Sequence, residues 1–307
     1  MPFPFLIGAA VALCGVAAVG GHLSAKEKNE KAQQIVKDAQ NKYNEAKSAF
    51  DEKQEEVNTS FVELMQNKKV VLDTVMKRFS NSYNKIKNFK LKGSTGIQEI
   101  DKMEFGISEL QQMTKLSQVY QEAESNIEDS NVAVALGAAA GPAIAGTFMG
   151  GGLLAATFTS PLAVVGAPLF LFSAFKADEK ADENLEKAAT YEKENEVALK
   201  KIEVSTKLCI AIVDKVKLYE SLLGNLQNLF IQYEKAMTNI IKKAEKRGSL
   251  SQNSFSDQEL SLFAATRNIA KAVKMVIDTP IIDKDWKITP ESERNYNTGT
   301  KLLKMFD

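Results

Sequence analysis

Histidine and cysteine are almost absent from this sequence: its 307 residues include one histidine, His22, and two cysteines. Metal sites usually combine several histidine, cysteine or acidic side chains, and Ser-His or Cys-His catalysis needs a histidine as its base. A single histidine supplies neither arrangement. The composition therefore excludes histidine-based metal-ligand clusters and His-dependent triads.

The familiar nucleotide and redox motifs are missing as well. The sequence holds no phosphate-binding P-loop, no glycine-rich dinucleotide fingerprint and no CxxC pair. Cys14 and Cys209 stand far apart, each in an apolar helical context. This is not a disulfide framework and predicts packing residues in a reducing compartment. We expect a protein that is not an enzyme and that binds no cofactor and no metal.

A surplus of charge of either sign is also lacking, since 39 basic residues balance 39 acidic ones. Nucleic-acid-binding proteins usually carry a basic surplus that neutralises phosphates. The balance predicts that nucleic acid is not a partner of this protein.

Charge is missing altogether from residues 130–175, about 46 consecutive positions without Asp, Glu, Lys or Arg. A helix needs roughly 20 apolar residues to cross a bilayer, so this central run is long enough for two crossings. Gly150, Gly151 and Gly152 supply a break near its middle. The run predicts an apolar, glycine-rich helical hairpin that enters a membrane. The alternative is a hairpin buried at the centre of a soluble helical bundle.

The second arm of this hairpin is the more apolar one and is expected to lead insertion. Each strongly apolar residue favours insertion by about 0.3 to 0.6 kcal/mol. The residues predicted to insert are Leu153, Leu154, Phe158, Leu162, Val165, Leu169, Phe170 and Phe172.

The first arm consists mostly of alanine and glycine, with two GxxxG spacings that place bare backbone on one helical face. Such spacings let a neighbouring helix approach closely in lipid. The glycines predicted to pack helix against helix are Gly137, Gly141, Gly146 and Gly150.

Residues 2–22 form a second uncharged stretch. Its apolar content is sufficient for a marginal membrane span, and the alternative is a helix packed against the central hairpin. No basic segment stands before it, so no cleavable signal peptide is predicted. In a spanning arrangement, Lys26, Lys28 and Lys31 would hold its C-terminal end in the cytoplasm. The predicted location is membrane-associated on the cytoplasmic side, or conditionally soluble.

Two long charged segments, residues 24–92 and 177–246, carry the heptad repeats of coiled-coil helices. Beyond Val71 the stripe of the first segment changes register, which predicts a bend near residues 67–69. The similar lengths predict an all-α, elongated helical bundle of long antiparallel coiled-coil helices. The same pattern also fits a homo-oligomer. The first stripe consists of Val36, Tyr43, Phe50, Val57, Leu64 and Val71.

Capping boxes that begin at Ser24, Thr95 and Ser256 predict three helix starts. The second of these helices is expected to run to about residue 129, antiparallel to the end of the first. The tail after the third helix is expected to be irregular, with Trp286 either docked on the bundle or placed at a membrane interface. The predicted segments are 1–22, 23–129, 130–175, 176–247 and 248–307.

Long heptad-bearing helices on both sides of an uncharged, glycine-rich run form a segment order that resembles two families. These are the cytolysin-A-type helical pore-forming toxins and the apolipoprotein L proteins. The resemblance covers most of the chain and rests on segment order, with no shared sequence motif. It implies that residues 130–175 stay packed in the soluble protein and move into lipid on insertion.

The predicted function is therefore insertion of the hairpin into a bilayer, and the resemblance adds pore formation or a toxin-like role. The expected partners are a lipid bilayer, together with a second copy of the chain or a helical partner protein. Two alternatives stay open. One is a membrane-anchored coiled-coil scaffold that recruits a partner, and the other is a soluble helical adaptor whose hairpin never leaves the core.

Overall fold

The computed structural model describes residues 24–124, 181–283 and 286–306. Within these ranges the regular structure is helical, with one isolated β-bridge between Ile282 and Ile288. The all-α prediction is confirmed. The central run 130–175, the N-terminal stretch 2–22 and Cys14 lie outside the described residues.

Long helices occupy both heptad-bearing segments, as predicted: the first spans 47 residues and the second 66. The elements are α1 (Ala25–Val71), a π-helical turn (Leu72–Met76), α2 (Lys77–Tyr83), α3 (Gln98–Lys102), α4 (Ile107–Glu124), α5 (Ala181–Lys246), a 3-10 turn (Gln252–Ser254), α6 (Asp257–Asp278) and α7 (Pro290–Leu303).

The chain divides into two compact units whose boundaries fall inside α1 and α5. The described part of the first unit consists of residues 24–44 and 181–199. The second unit contains the remaining lengths of α1 and α5, together with the π-helical turn, α2, α3, α4, α6 and α7.

In the first unit the two helices run in the same direction. Near their N-terminal ends, Lys28 Nζ lies 2.6 Å from Asp182 Oδ1. Farther along both helices, the buried Asn195 donates its side-chain amide to the carbonyl oxygen of Ala39. A polar residue buried at a coiled-coil contact fixes the register of the helices, at some cost in stability. Mostly small side chains, together with one tyrosine, fill the rest of the contact: the core consists of Ala32, Val36, Ala39, Ala188 and Tyr191.

In the second unit the continuations of α1 and α5 are also parallel. Lys217 Nζ lies 3.2 Å from Glu56 Oε1 of α1, and Glu234 Oε2 lies 3.2 Å from Arg78 Nε of α2, so residue numbers rise together along α1, α2 and α5. The predicted antiparallel arrangement of the long helices is therefore wrong. A heptad stripe determines which face of a helix is buried, but it holds no information on direction.

Helix α4 runs back along α1 and α2 in the second unit. The ring of Phe105, just before α4, lies 6.1 Å from that of Phe79, and Ser117 hydrogen-bonds to Asp73 farther along. Rising numbers in α4 meet falling numbers in the earlier helices, so this pair is antiparallel, as predicted.

The π-helical turn explains the register shift in the first heptad stripe. A π-helical turn adds a residue to the helical repeat and rotates the side chains that follow it. Leu64 and Val71 are seven residues apart, whereas Val71, Val75 and Phe79 follow at intervals of four, and all four side chains are buried. The bend predicted at residues 67–69 is wrong, because those residues belong to regular α1 and the irregularity follows at Leu72–Met76.

The helix predicted to begin at Thr95 is shorter and interrupted. Extended backbone at Met103 separates α3 from α4, and the residue before α3, Ile97, has no side-chain cap. The carboxylate of Asp101 accepts the backbone N–H groups of Thr95 and Gly96 at 2.8 and 3.0 Å. A charged acceptor binds amide donors more strongly than a neutral one, so the predicted capping box does not form.

The two other capping boxes are confirmed. Ser256 accepts the backbone N–H of Glu259, and the Glu259 carboxylate accepts the N–H of Ser256 at 2.8 Å. Ser24 and Glu27 form the same pair of contacts at the start of α1. Each box satisfies two amides that a helix start would otherwise leave unpaired.

The tail that was predicted to be irregular contains α7. The hydroxyl of Thr289 accepts the N–H of Ser292 at 3.1 Å, and Pro290 occupies the first helical position. Threonine followed by proline is a helix-start signal that the sequence reading passed over. Trp286, in the loop before α7, is buried, as the docking alternative predicted.

The loop before α3 lies directly against α6, and this close approach is testable with glycine variants. A Cβ atom on Gly93 would stand 2.6 Å from Cβ of Ala264, whereas one on Gly224, inside α5, meets no atom within 4 Å. We expect Gly93→Ala to lower the free energy of unfolding by about 1 to 3 kcal/mol. Gly224→Ala should raise it by about 0.5 to 1 kcal/mol. Urea denaturation followed by circular dichroism measures both, and equal effects would contradict the close approach.

Candidate functional site

The site residues predicted from the sequence lie outside the described residues and stay predictions. They are the inserting residues Leu153, Leu154, Phe158, Leu162, Val165, Leu169, Phe170 and Phe172 and the packing glycines Gly137, Gly141, Gly146 and Gly150. Over the ranges that are described, no helix has both the length and the apolar character needed to cross a bilayer. The same ranges hold no group of three or more His, Cys, Asp or Glu side chains arranged for a metal ion.

The unusual chemistry of the described residues lies in the second unit, where a buried lysine and two half-buried charged side chains lie near the π-helical turn. Lys68 lies on α1, one turn before Leu72, and its exposed fraction is 0%. Burial penalises the ammonium form and lowers the pKa of Lys68 to about 8, while the negative charge of Asp278 opposes the shift. A lysine is therefore held in the apolar core with a carboxylate as its counter-charge.

Asp278 is the last residue of α6, where the negative end of the helix dipole disfavours a carboxylate. Burial raises the pKa of Asp278, and the positive charges of Lys274 and Lys68 oppose that rise. Lys274, one turn earlier on α6, donates a hydrogen bond to Asp278 Oδ2. Two lysines from two helices thus stabilise one carboxylate at the end of α6.

Helix α4 contributes Tyr120, which is fully buried. Its hydroxyl has no hydrogen-bond partner among the described residues. Burial, and then the nearby charge of Asp278, raises the pKa of Tyr120 far above its usual value. A buried hydroxyl without a partner costs about 1 to 3 kcal/mol, so α4 packs here with an energetic penalty. We call Lys68, Lys274, Asp278 and Tyr120 the buried charge cluster.

A second polar network lies on the C-terminal side of the π-helical turn. The buried carboxylate of Glu234 on α5 accepts from Arg78 Nε at 3.2 Å and from the hydroxyl of Thr238 at 2.7 Å. The Thr238 hydroxyl also lies 2.6 Å from that of Ser82 on α2. These hydrogen bonds satisfy Glu234, so this contact stabilises the packing of α2 against α5. The buried charge cluster, by contrast, destabilises the helices around it.

The buried charge cluster is not arranged for reaction with a substrate, because neither Lys68 nor Tyr120 reaches the surface. The cluster instead affects stability: buried charges and an unsatisfied hydroxyl lower the free energy of unfolding of the helices around them. Sequence reasoning missed Lys68, although a signal existed. Position 68 continues the buried stripe between Leu64 and Leu72, where a lysine is out of pattern.

Comparison with protein-family models, curated proteins and solved structures finds no match to this chain. Its function is therefore inferred from the central run and from the helices that flank it. Among those helices, α4 is followed by the run and also contributes to the buried charge cluster.

We expect Lys68→Met to remove a pH dependence of stability. Between pH 8 and 10.5 the unfolded chain keeps a proton that the folded chain has lost, so the free energy of unfolding rises with pH across this window. A shift of this size corresponds to on the order of 3 kcal/mol. Lys68→Met should be at least as stable as the wild type at neutral pH and should lack the rise. Urea denaturation at several pH values measures it.

The matched control is Lys77→Met, which removes an exposed lysine from α2. Apart from the substituted lysines, the two methionine variants share every titratable group, so the difference between their pH profiles isolates Lys68. A pH profile for Lys68→Met that coincides with that of Lys77→Met would show that Lys68 is not buried.

Proposed function

We propose that this protein acts on lipid bilayers by inserting residues 130–175, and that the inserted chains open a pore. The observation that carries the proposal is the run of about 46 uncharged residues between two charged, heptad-bearing helices. Its length suits two crossings, and its leading arm is rich in leucine and phenylalanine. The proposed role requires no reaction and no cofactor.

The second unit supports this role, because its described helices pack against one another through their own side chains. Phe79 of α2 packs against Phe230 of α5, with ring centroids 5.3 Å apart. Tyr219 of α5 packs against Tyr296 of α7, and its hydroxyl donates to the carbonyl oxygen of Ser292 at 2.7 Å. These contacts do not require residues 130–175, so the bundle would survive their transfer into lipid.

The balance between the two locations of the run is expected to be close. Burial in protein and burial in lipid both remove the same apolar surface from water, so the hydrophobic effect favours both. A modest difference in affinity for lipid then shifts the population from one state to the other. The trigger in this proposal is the bilayer itself.

Helix α4 is the proposed link between the bundle and the run. It is followed by the acidic residues Glu128 and Asp129 and then by the run. Its Tyr120 is buried without a hydrogen-bond partner among the described residues, beside the charge of Asp278. Separation of α4 from the bundle would let water reach the hydroxyl of Tyr120, which lowers the cost of releasing the run.

Vesicle experiments on the purified full chain test the insertion step. Flotation with phosphatidylcholine–phosphatidylglycerol vesicles reports binding, and release of an entrapped dye reports a pore. We expect both for the wild type. Folded protein that shows neither would overturn the proposal. Vesicle binding without dye release would be consistent with insertion but would contradict the formation of a pore.

We expect Leu162→Asp and Phe170→Asp each to abolish dye release. A carboxylate near the bilayer centre costs about 2.5 to 3.5 kcal/mol, more than one leucine or phenylalanine contributes to insertion. Leu250→Asp is the matched control, because Leu250 is already exposed in the loop before α6 and its replacement should leave release unchanged. Equal release by all three variants would show that the second arm does not enter the bilayer.

We expect Tyr120→Phe to slow dye release by stabilising α4 on the bundle, because the change removes a buried hydroxyl that has no partner among the described residues. Tyr219→Phe is the contrasting variant, since it deletes a hydroxyl that donates to Ser292 and should lower the free energy of unfolding by about 1 kcal/mol. Release kinetics and urea denaturation of both variants check the prediction. Faster dye release by Tyr120→Phe would show that detachment of α4 from the bundle is not a step in insertion.

The same preparations distinguish the two alternative functions. A permanently anchored scaffold would require detergent for purification, whereas a conditional inserter is recoverable in water. A soluble adaptor would show no protection of residues 130–175 from protease when vesicles are added. Protection that depends on vesicles supports the proposed function.

A further inference from the structure

One surface of the second unit departs from the rule that large apolar side chains are buried. Along α5, Val204, Ile210 and Leu218 are exposed by 67%, 43% and 44%. Ala211 is exposed on the same side. A coiled-coil helix normally exposes polar residues opposite its buried stripe, so a repeated apolar position here indicates a second contact surface.

The spacing of these residues is that of a coiled-coil seam. Val204, Ala211 and Leu218 stand seven residues apart, and the positions between them hold Lys207 and Asp214, both exposed. The stretch from Val204 to Leu218 extends about 21 Å along the helix. We call Val204, Lys207, Ile210, Ala211, Asp214 and Leu218 the α5 face.

We propose that the α5 face docks against the α5 face of a second copy of this chain, with the two helices antiparallel. The pattern is self-complementary about Ala211: lysine lies on one side, aspartate on the other, and an apolar residue lies at each end. A two-fold axis near Ala211 brings Lys207 within reach of Asp214 of the second copy, and Val204 near its Leu218.

The charges of Lys207 and Asp214 favour a second copy of this chain as the partner, and they favour the antiparallel orientation. In a parallel pair Lys207 would meet Lys207 of the second copy, and like charges across an interface are unfavourable. Lys207 now pairs with Glu203 on its own helix at 2.6 Å, with both side chains largely exposed. An exposed pair of this kind contributes little stability, so Lys207 is available to the second copy.

The inference does not rest on the proposed membrane function. The face lies on a described helix, and its residues are distinct from those of the central run. The interface is small and includes an alanine layer, so we expect reversible association that depends on protein concentration.

Sedimentation equilibrium of the full chain measures the association constant in solution. We expect Leu218→Asp to lower it at least tenfold, because a carboxylate replaces an apolar end of the face. Leu250→Asp, an equivalent change on a loop, should leave it unchanged. A monomer at all concentrations, or equal association by both variants, would overturn the proposal.

Charge exchange tests the antiparallel pairing directly. Lys207→Asp and Asp214→Lys should each weaken association, because each places like charges across the interface. The double variant restores both opposite pairs and should associate as the wild type does. Failure of the double variant to recover, in protein that circular dichroism shows to be helical, contradicts the pairing. Association that none of these changes affects indicates contact through another surface, such as the central run, and also contradicts it.

Cross-linking supplies an independent readout of direction. In a background carrying Cys14→Ser, Val204→Cys and Leu218→Cys are treated with a short bismaleimide, alone and mixed. Cys209 is buried, and burial raises the pKa of its thiol to about 11, so it reacts slowly in every sample. We expect cross-linked dimer only in the mixture, because equivalent positions stand about 21 Å apart along the antiparallel axis. Cross-linking of each variant alone shows a parallel pair and overturns the proposal.

Discussion

Burial of the apolar stripes of α1 and α5 is the constraint on which the rest of the structure depends. In each unit the two helices run in the same direction, and the stripes are removed from water by packing against each other. In the second unit α4 runs in the opposite direction, which places its Ser117 against Asp73 of the π-helical turn.

The buried charge cluster opposes this stabilisation at one place. Lys68 and Asp278 lose hydration that their mutual attraction restores only in part, and Tyr120 has no hydrogen-bond partner among the described residues. The helices that meet there are therefore held less firmly than those around Phe79 and Phe230, where aromatic rings pack closely. In the proposed function, this difference would let α4 separate from the bundle while the other helices stay folded.

Local signals in the sequence predicted much of the secondary structure, because capping and helical periodicity depend on neighbours a few residues apart. The boxes at Ser24 and Ser256 formed, and the heptad segments are helices. The box at Thr95 did not form, because Asp101 accepts the Thr95 amide and the Thr95 hydroxyl accepts the N–H of Ile97 in place of that of Gln98. Helix α7 was missed although Thr289 and Pro290 mark its start, since a short helix shows a weak period.

The sequence by itself determined the all-α class, the positions of the long helices and the presence of an uncharged run between them. These follow from side-chain periodicity and from charge, which are properties of the chain alone. Only the tertiary structure decided that α1 and α5 are parallel, that Lys68 is buried and that one face of α5 stays exposed. Direction and burial depend on which helices meet in space, and a heptad stripe reads the same from either end.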